Sequence, residues 1–121
     1  MQFAQKNFYK KLLGKVGEKK AAEFLKKQGI KVLERNYKNA LGEIDIIAKD
    51  GEYTVFIEVK TRSDESFGTP SEAVNYKKRM KYGRIAAAYL NLRGIADAPC
   101  RFDVIEVKEG EINHIKDAFC I

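Results

Sequence analysis

The chain has 121 residues, 45% hydrophobic and 33% charged, with a formal net charge of +6. That length gives one domain with a real core rather than two domains around a cleft, and the composition excludes a disordered or low-complexity chain. Two cysteines, Cys100 and Cys120, make no disulfide framework and read as buried thiols in a protein of the reducing cytoplasm. No apolar run reaches the roughly 18–20 residues of a membrane span. The Lys-rich first segment does not have the form of a secretory signal.

The charge is unevenly placed. Residues 1–41 hold 11 Lys/Arg against 3 acids, a net of +8, whereas residues 42–121 hold 12 against 14. This split suggests a polyanion partner, although a solvated basic face explains the charge equally well.

In chain order, Leu12, Leu13, Val16, Ala21, Ala22, Phe24 and Leu25 recur near a 3.6-residue period, which predicts a helix from Phe8 to Gln28 with Gly29 as its cap. Gly14 and Gly17 each cost it up to about 1 kcal/mol, so a bend or a later start near Lys15 is open. A strand follows from Ile30 to Asn36, ending in the polar turn Tyr37-Lys38-Asn39. The next runs from Gly42 to Ala48 and is closed by the hairpin signal Asp50-Gly51. The third, Tyr53 to Lys60, is rich in β-branched and aromatic residues. After a polar loop from Thr61 to Pro70, Ser71 and Glu72 read as the start of a long amphipathic helix that ends at Arg93-Gly94. Strands from Arg101 to Val107 and Ile112 to Ile115, joined at Glu109-Gly110, complete the order α-β-β-β-α-β-β. A mixed sheet with a helix on each side fits that order, an α/β layer arrangement.

The chemistry concentrates in the two middle strands. Alternation places Glu43, Asp45 and Ile47 on one face and Ile44, Ile46 and Ala48 on the other; on the next strand it groups Phe56, Glu58 and Lys60. Asp45 and Glu58 lie about equally far from the Asp50-Gly51 turn, as cross-strand neighbours do. Ionised groups in central strands cost several kcal/mol each unless paired or bound to a metal. Two adjacent carboxylates raise one another's pKa unless a cation takes up the charge, and hard oxygen ligands suit Mg2+ or Mn2+. Lys60 can then orient or deprotonate an attacking water, or neutralise charge developing on a phosphorane. The same three residues also suit a purely structural ion-pair triad.

Asp45, twelve intervening residues and Glu58-Val59-Lys60, preceded by Gly42-Glu43-Ile44, resemble the D…(D/E)xK core of the restriction-endonuclease-like nuclease superfamily. More closely, the chain resembles the bacterial YraN family, with archaeal Holliday junction resolvases as distant relatives. The matching stretches are Gly17 to Ala22, Gly42 to Ala48, Val55 to Arg62, Phe67-Gly68-Thr69-Pro70 with Ser71 to Val74, Lys78, and Arg101 to Val104. A bare ExK is common; the ordered set is specific. The resemblance implies a restriction-endonuclease-like fold, Asp45 and Glu58 as ligands of Mg2+ or Mn2+, Lys60 as the catalytic lysine and Glu18 as a further acid beside the metal. Read from the residues, Glu18 is one of two acids in a basic helix, and Gly17 beside it allows close packing on the sheet; a surface partner of Lys15 and Lys19 is the alternative. Glu43 is an accessory acid, ranked below these four.

Lys77, Lys78, Arg79, Lys81 and Arg84 form an acid-free run on the second helix, with Lys77, Lys81 and Arg84 on one face. Such a stripe neutralises phosphates without sequence choice, or is a solvated face. Lys77, Lys78, Lys81 and Arg62 are the expected backbone contacts. Tyr37, Tyr76 and Tyr82 suit base stacking or the core edge. His114 reads as surface or structural. Asp103 pairs with Arg101, supports a central strand or reaches the site. The sequence thus points to a metal-dependent endonuclease acting on DNA, branched or otherwise structured, with a homodimer needed for symmetric junction cleavage. A nucleic-acid-binding protein with a nuclease fold but no activity of its own is the alternative, and a structural or interaction role the third reading.

Overall fold

The computed structural model describes residues 3–62 and 75–120. The first helix, α1, runs from Phe3 to Lys27 without interruption at Gly14 or Gly17. It ends as the sequence suggests: Gly29 takes φ +79°, Ile30 N–H donates to Leu25 O at 2.9 Å and Gly29 N–H to Lys26 O at 3.1 Å. These bonds satisfy carbonyls that the last turn leaves over, and Ile30 buries beside Leu25.

Strand β1 spans Lys31–Asn39, β2 Gly42–Asp50 and β3 Tyr53–Arg62. The expected turn at Tyr37-Lys38-Asn39 is instead the end of β1, with Tyr37 paired to Ile44 and Asn39 to Gly42. The chain reverses at Ala40-Leu41, where Asn39 Oδ1 accepts the Leu41 N–H at 2.8 Å. This side-chain bond supports a turn that begins just after the polar stretch rather than within it. Helix α2, Tyr76–Leu92, starts from Asn75, whose side chain accepts the Lys78 N–H. The expected helix start at Ser71 and Glu72 lies outside the described residues, as do Phe67-Gly68-Thr69-Pro70, Ala73 and Val74. Strands β4, Cys100–Lys108, and β5, Glu111–Ile115, follow.

The sheet order is β1-β2-β3-β4-β5, antiparallel throughout except for the parallel β3–β4 pair that α2 connects. Helix α1 packs on one face, where Ala21, Ala22 and Leu25 meet Ile46, Ile57 and Ile105. Helix α2 packs on the other, where Tyr82, Ile85 and Tyr89 meet Ile44, Ile47 and Phe56. The expected mixed α/β sheet with a helix on each side is thus present. One face assignment changes: Ile44 belongs with Ile47 on the α2 side, not with Ile46 and Ala48. The β2–β3 ladder pairs Ile46 with Ile57 and goes no further, so β2 loses strict alternation at Asp45. Both cysteines are exposed, not buried, because one opens β4 and the other lies beyond β5.

Candidate functional site

The site forms where β2 leaves β3. Beyond Ile46 the ladder is replaced by a side chain: Asp45 Oδ2 accepts the Val59 N–H at 2.8 Å. That bond fixes the carboxylate beside Glu58, the next residue back on β3, which is 5% exposed. Glu58 Oε1 accepts from Lys60 Nζ at 3.0 Å and from Lys78 Nζ at 2.5 Å. Lys60 shares its strand and face with Glu58, whereas Lys78 reaches across from the first turn of α2. Two cations on one oxygen offset the cost of burying that carboxylate.

Glu18 enters from the opposite face. Gly17 stands so close to Thr61 on β3 that a Cβ there would collide with the Thr61 hydroxyl. Its missing side chain lets α1 approach the sheet and brings Glu18 within hydrogen-bonding reach of Asn36 and Asp45. The structure therefore brings Glu18, Asp45, Glu58 and Lys60 into one cluster. Glu43 stays at the rim, 3.8 Å from Lys38. Lys78 is an ion-pair partner inside the cluster, a role that its place beside the basic stripe did not reveal.

Burial is the largest influence on the Asp45 carboxyl, followed by the Glu58 charge; against the Val59 N–H they push it up to about 7. Glu18 is also raised, chiefly by burial. At Lys78 burial acts to lower the ammonium, but the Glu58 carboxylate outweighs it and the net shift is upward. The acids around Asp45 are thus short of positive charge in spite of two nearby lysines. Among the described residues, no group of three His, Cys, Asp or Glu side chains is arranged to hold a metal ion. Mg2+ needs only one or two carboxylates, completing its shell with waters and substrate phosphate oxygens. The paired Asp45 and Glu58 carboxylates, one of them too proton-hungry for its charge to be matched, fit such an ion.

Asp45 and Glu58 line two grooves at once. One, of about 440 Å³ on the α2 side, carries Lys77, Lys78 and Lys81. The other, of about 830 Å³ on the α1 side, carries Lys10, Lys20 and Arg62. Among the described residues the Arg62 Nε has no hydrogen-bond partner, and it lies 3.6 Å from the Glu106 carboxylate. Tyr82 is buried and Tyr37 packs edge-on against Tyr89, so both serve the core; Tyr76 is exposed.

Asp103 does not reach this cluster. It is fully buried, holds Arg101 through Nε at 2.9 Å and Nη2 at 3.0 Å, meets His114 Nε2 at 2.7 Å and accepts the Asp117 N–H. Burial acts to raise its carboxyl, but His114, Arg101 and the Asp117 N–H together hold it below the ordinary range. Asp103 and His114 are structural, tying β5 and the segment after it to β4.

Fold and site define an α/β protein with a half-buried carboxylate–lysine centre at the junction of two central strands. No helix among the described residues is long and apolar enough to cross a membrane. A model of the uncharacterised protein family UPF0102 matches residues 17–107. UPF0102 proteins of Moorella thermoacetica and Alkaliphilus oremlandii are similar, the first 54% identical over 78% of each chain, the second 51% over 90% of this chain and 98% of its own. A UPF0102 protein of Thermodesulfovibrio yellowstonii is 47% identical over 88% of this chain and 95% of its own. The chain belongs to UPF0102, the YraN family that its sequence resembles.

Proposed function

We propose that the protein is a divalent-metal-dependent nuclease that hydrolyses phosphodiester bonds in nucleic acid, with DNA of branched or otherwise irregular structure as its substrate. The observation that carries this reading is the cluster itself: buried Glu58 beside half-buried Asp45, with Lys60 on the same strand, between two grooves that each carry three Lys or Arg side chains. Asp45 and Glu58 are the residues that would hold Mg2+ or Mn2+, which when bound supplies positive charge to a phosphate and a more acidic water. Lys60, with its Nζ 3.0 Å from Glu58, stands where it can orient a water or neutralise charge developing on a phosphate oxygen. Glu18, whose carboxyl burial pushes upward, can accept and hold a proton beside Asp45. Lys77 and Lys81 neutralise backbone phosphates along the α2 groove.

A second reading has its own observation. Lys60 and Lys78 both engage Glu58 Oε1, so the carboxylate is already neutralised without a metal. That arrangement suits a nucleic-acid-binding protein with a nuclease-like fold and no independent activity. Incubation of plasmid, single-stranded, flap and four-way-junction DNA with Mg2+ or Mn2+ separates the two. The nuclease reading expects cleavage that disappears in Asp45→Ala and Lys60→Ala. Intact substrates in both metals, with salt-sensitive binding retained, favour the second reading.

A further inference from the structure

The α1 half of the site carries a feature that phosphate recognition does not use. Along the N-terminal part of α1, Tyr9, Leu13 and Val16 are 54%, 39% and 43% exposed although all three are apolar or aromatic. They recur at four- and three-residue spacing, so they form one face of the helix. That face overhangs the 830 Å³ groove, whose floor includes Val59, Thr61 and Val107 and whose inner end is Asp45 and Glu58. Lys10, Lys20 and Arg62 edge it, together with the acids Glu18 and Glu109. A groove with an apolar, aromatic wall, cationic edges and an acidic end does not fit a second copy of this chain. Residues 8–22 hold five lysines and a single acid, so two such helices would repel.

We propose that this groove receives unpaired bases of the strand whose backbone lies at the carboxylate pair. The inference rests on the nucleic-acid reading above and adds a substrate class: nucleic acid with a single-stranded segment next to the bond that is cut. Bases stack on Tyr9 and lie against Leu13 and Val16, while Lys10, Lys20 and Arg62 meet the phosphates between them. Stacking on an aromatic side chain is tolerant of base identity, so the preference is for unpaired structure rather than sequence. A closed duplex keeps its bases stacked on one another and gains nothing from this wall.

The chain contains no tryptophan, so Tyr9→Trp places a single indole reporter at the groove. Titration of this full-length variant with oligothymidylate is expected to quench its fluorescence in step with binding measured by anisotropy of the labelled oligonucleotide; a blunt duplex is expected to bind without quenching. Tyr9→Ala, an exposed substitution whose fold is checked by circular dichroism, is expected to weaken oligothymidylate binding about tenfold, the size of a lost base–aromatic stack, and duplex binding less than twofold. Binding of oligothymidylate without quenching, or an equal loss for both nucleic acids, overturns the proposal. So does a wild-type dimer that Tyr9→Ala dissociates in sedimentation, or Tyr9-dependent binding to phosphatidylserine vesicles with no quenching by oligothymidylate. Cleavage is read separately. Loss of metal-dependent cutting with Tyr9-dependent single-strand binding intact refutes the nuclease reading alone, whereas duplex cutting with no single-strand preference refutes this inference alone.

Discussion

The Asp45 carboxylate occupies the place where the β2–β3 ladder stops, and it takes up the Val59 N–H that a missing ladder bond would leave over. Yet burial and the Glu58 charge push its carboxyl from 3.8 to about 7. The folded state therefore holds this proton more tightly than the unfolded chain does. Stability present below about pH 4 is lost as pH rises through the raised value. Asp45→Asn keeps an acceptor for Val59 and removes the charge. In metal-free buffer at pH 8 it is expected to be more stable than wild type by about 2 kcal/mol, roughly half of what a three-unit shift is worth, because water reaches the cluster. The advantage should shrink as pH falls to 4, which thermal melts across that range will show; a less stable variant at pH 8 would contradict the reading. Asp103 has the opposite sign. Its carboxyl is held low, so the stability it contributes is complete above the ordinary carboxylate range and is lost as pH falls below about 4. Asp103→Ala, which strands the mostly buried Arg101 and His114, is expected to cost about 3–5 kcal/mol by urea denaturation near pH 7.

At the scale of elements, the seat of α1 depends on Gly17. Glycine inside a helix costs about 1 kcal/mol against alanine, and here it removes a collision with the Thr61 hydroxyl. Gly17→Ala should displace α1 and Glu18 and lower stability by about 1–2 kcal/mol. In a Thr61→Ala background, where that hydroxyl is gone, the same change should become neutral or stabilising, a sign reversal that a double-mutant cycle reads directly. Elements of this kind were largely legible in the sequence. Val55 to Val59 announce β3 by their β-branched and aromatic content, and Gly29 and Gly94 mark the ends of both helices, where each takes positive φ. What escaped the sequence depends on tertiary partners. Tyr37-Lys38-Asn39 is polar at two positions and reads as a turn, but Tyr37 finds a ring partner in Tyr89 and the strand continues. Ile44 changes face because β2 loses its partner at Asp45, which a two-residue period cannot express. The pairing of Asp45 with Glu58 followed from hairpin symmetry; the arrival of Lys78 did not, since it needs the crossing of α2 over the sheet.

For the molecule as a whole, six of the basic side chains behind the net charge of +6 line two grooves that meet at one acidic centre. On this account Lys81, exposed beside the α2 groove, acts through phosphate. Lys81→Ala should weaken binding about equally for every DNA sequence and reduce the slope of log affinity against log salt by about 1. Lys78→Ala should behave differently, because Lys78 is bound to Glu58: it should alter cleavage more than the salt slope. Equal salt slopes for wild type and Lys81→Ala would remove the α2 groove from the binding surface.

The most direct test of the central claim is the single-turnover cleavage rate of a labelled splayed-arm DNA as a function of Mn2+ concentration, with wild type, Asp45→Asn and Lys60→Met purified in the same way. Wild type is expected to cleave at a rate that saturates with metal, and each variant to lose at least about a hundredfold, as for removal of a group acting in the transition state. Equal rates in all three proteins, or no cutting by wild type at any metal concentration while the DNA remains bound, would contradict it.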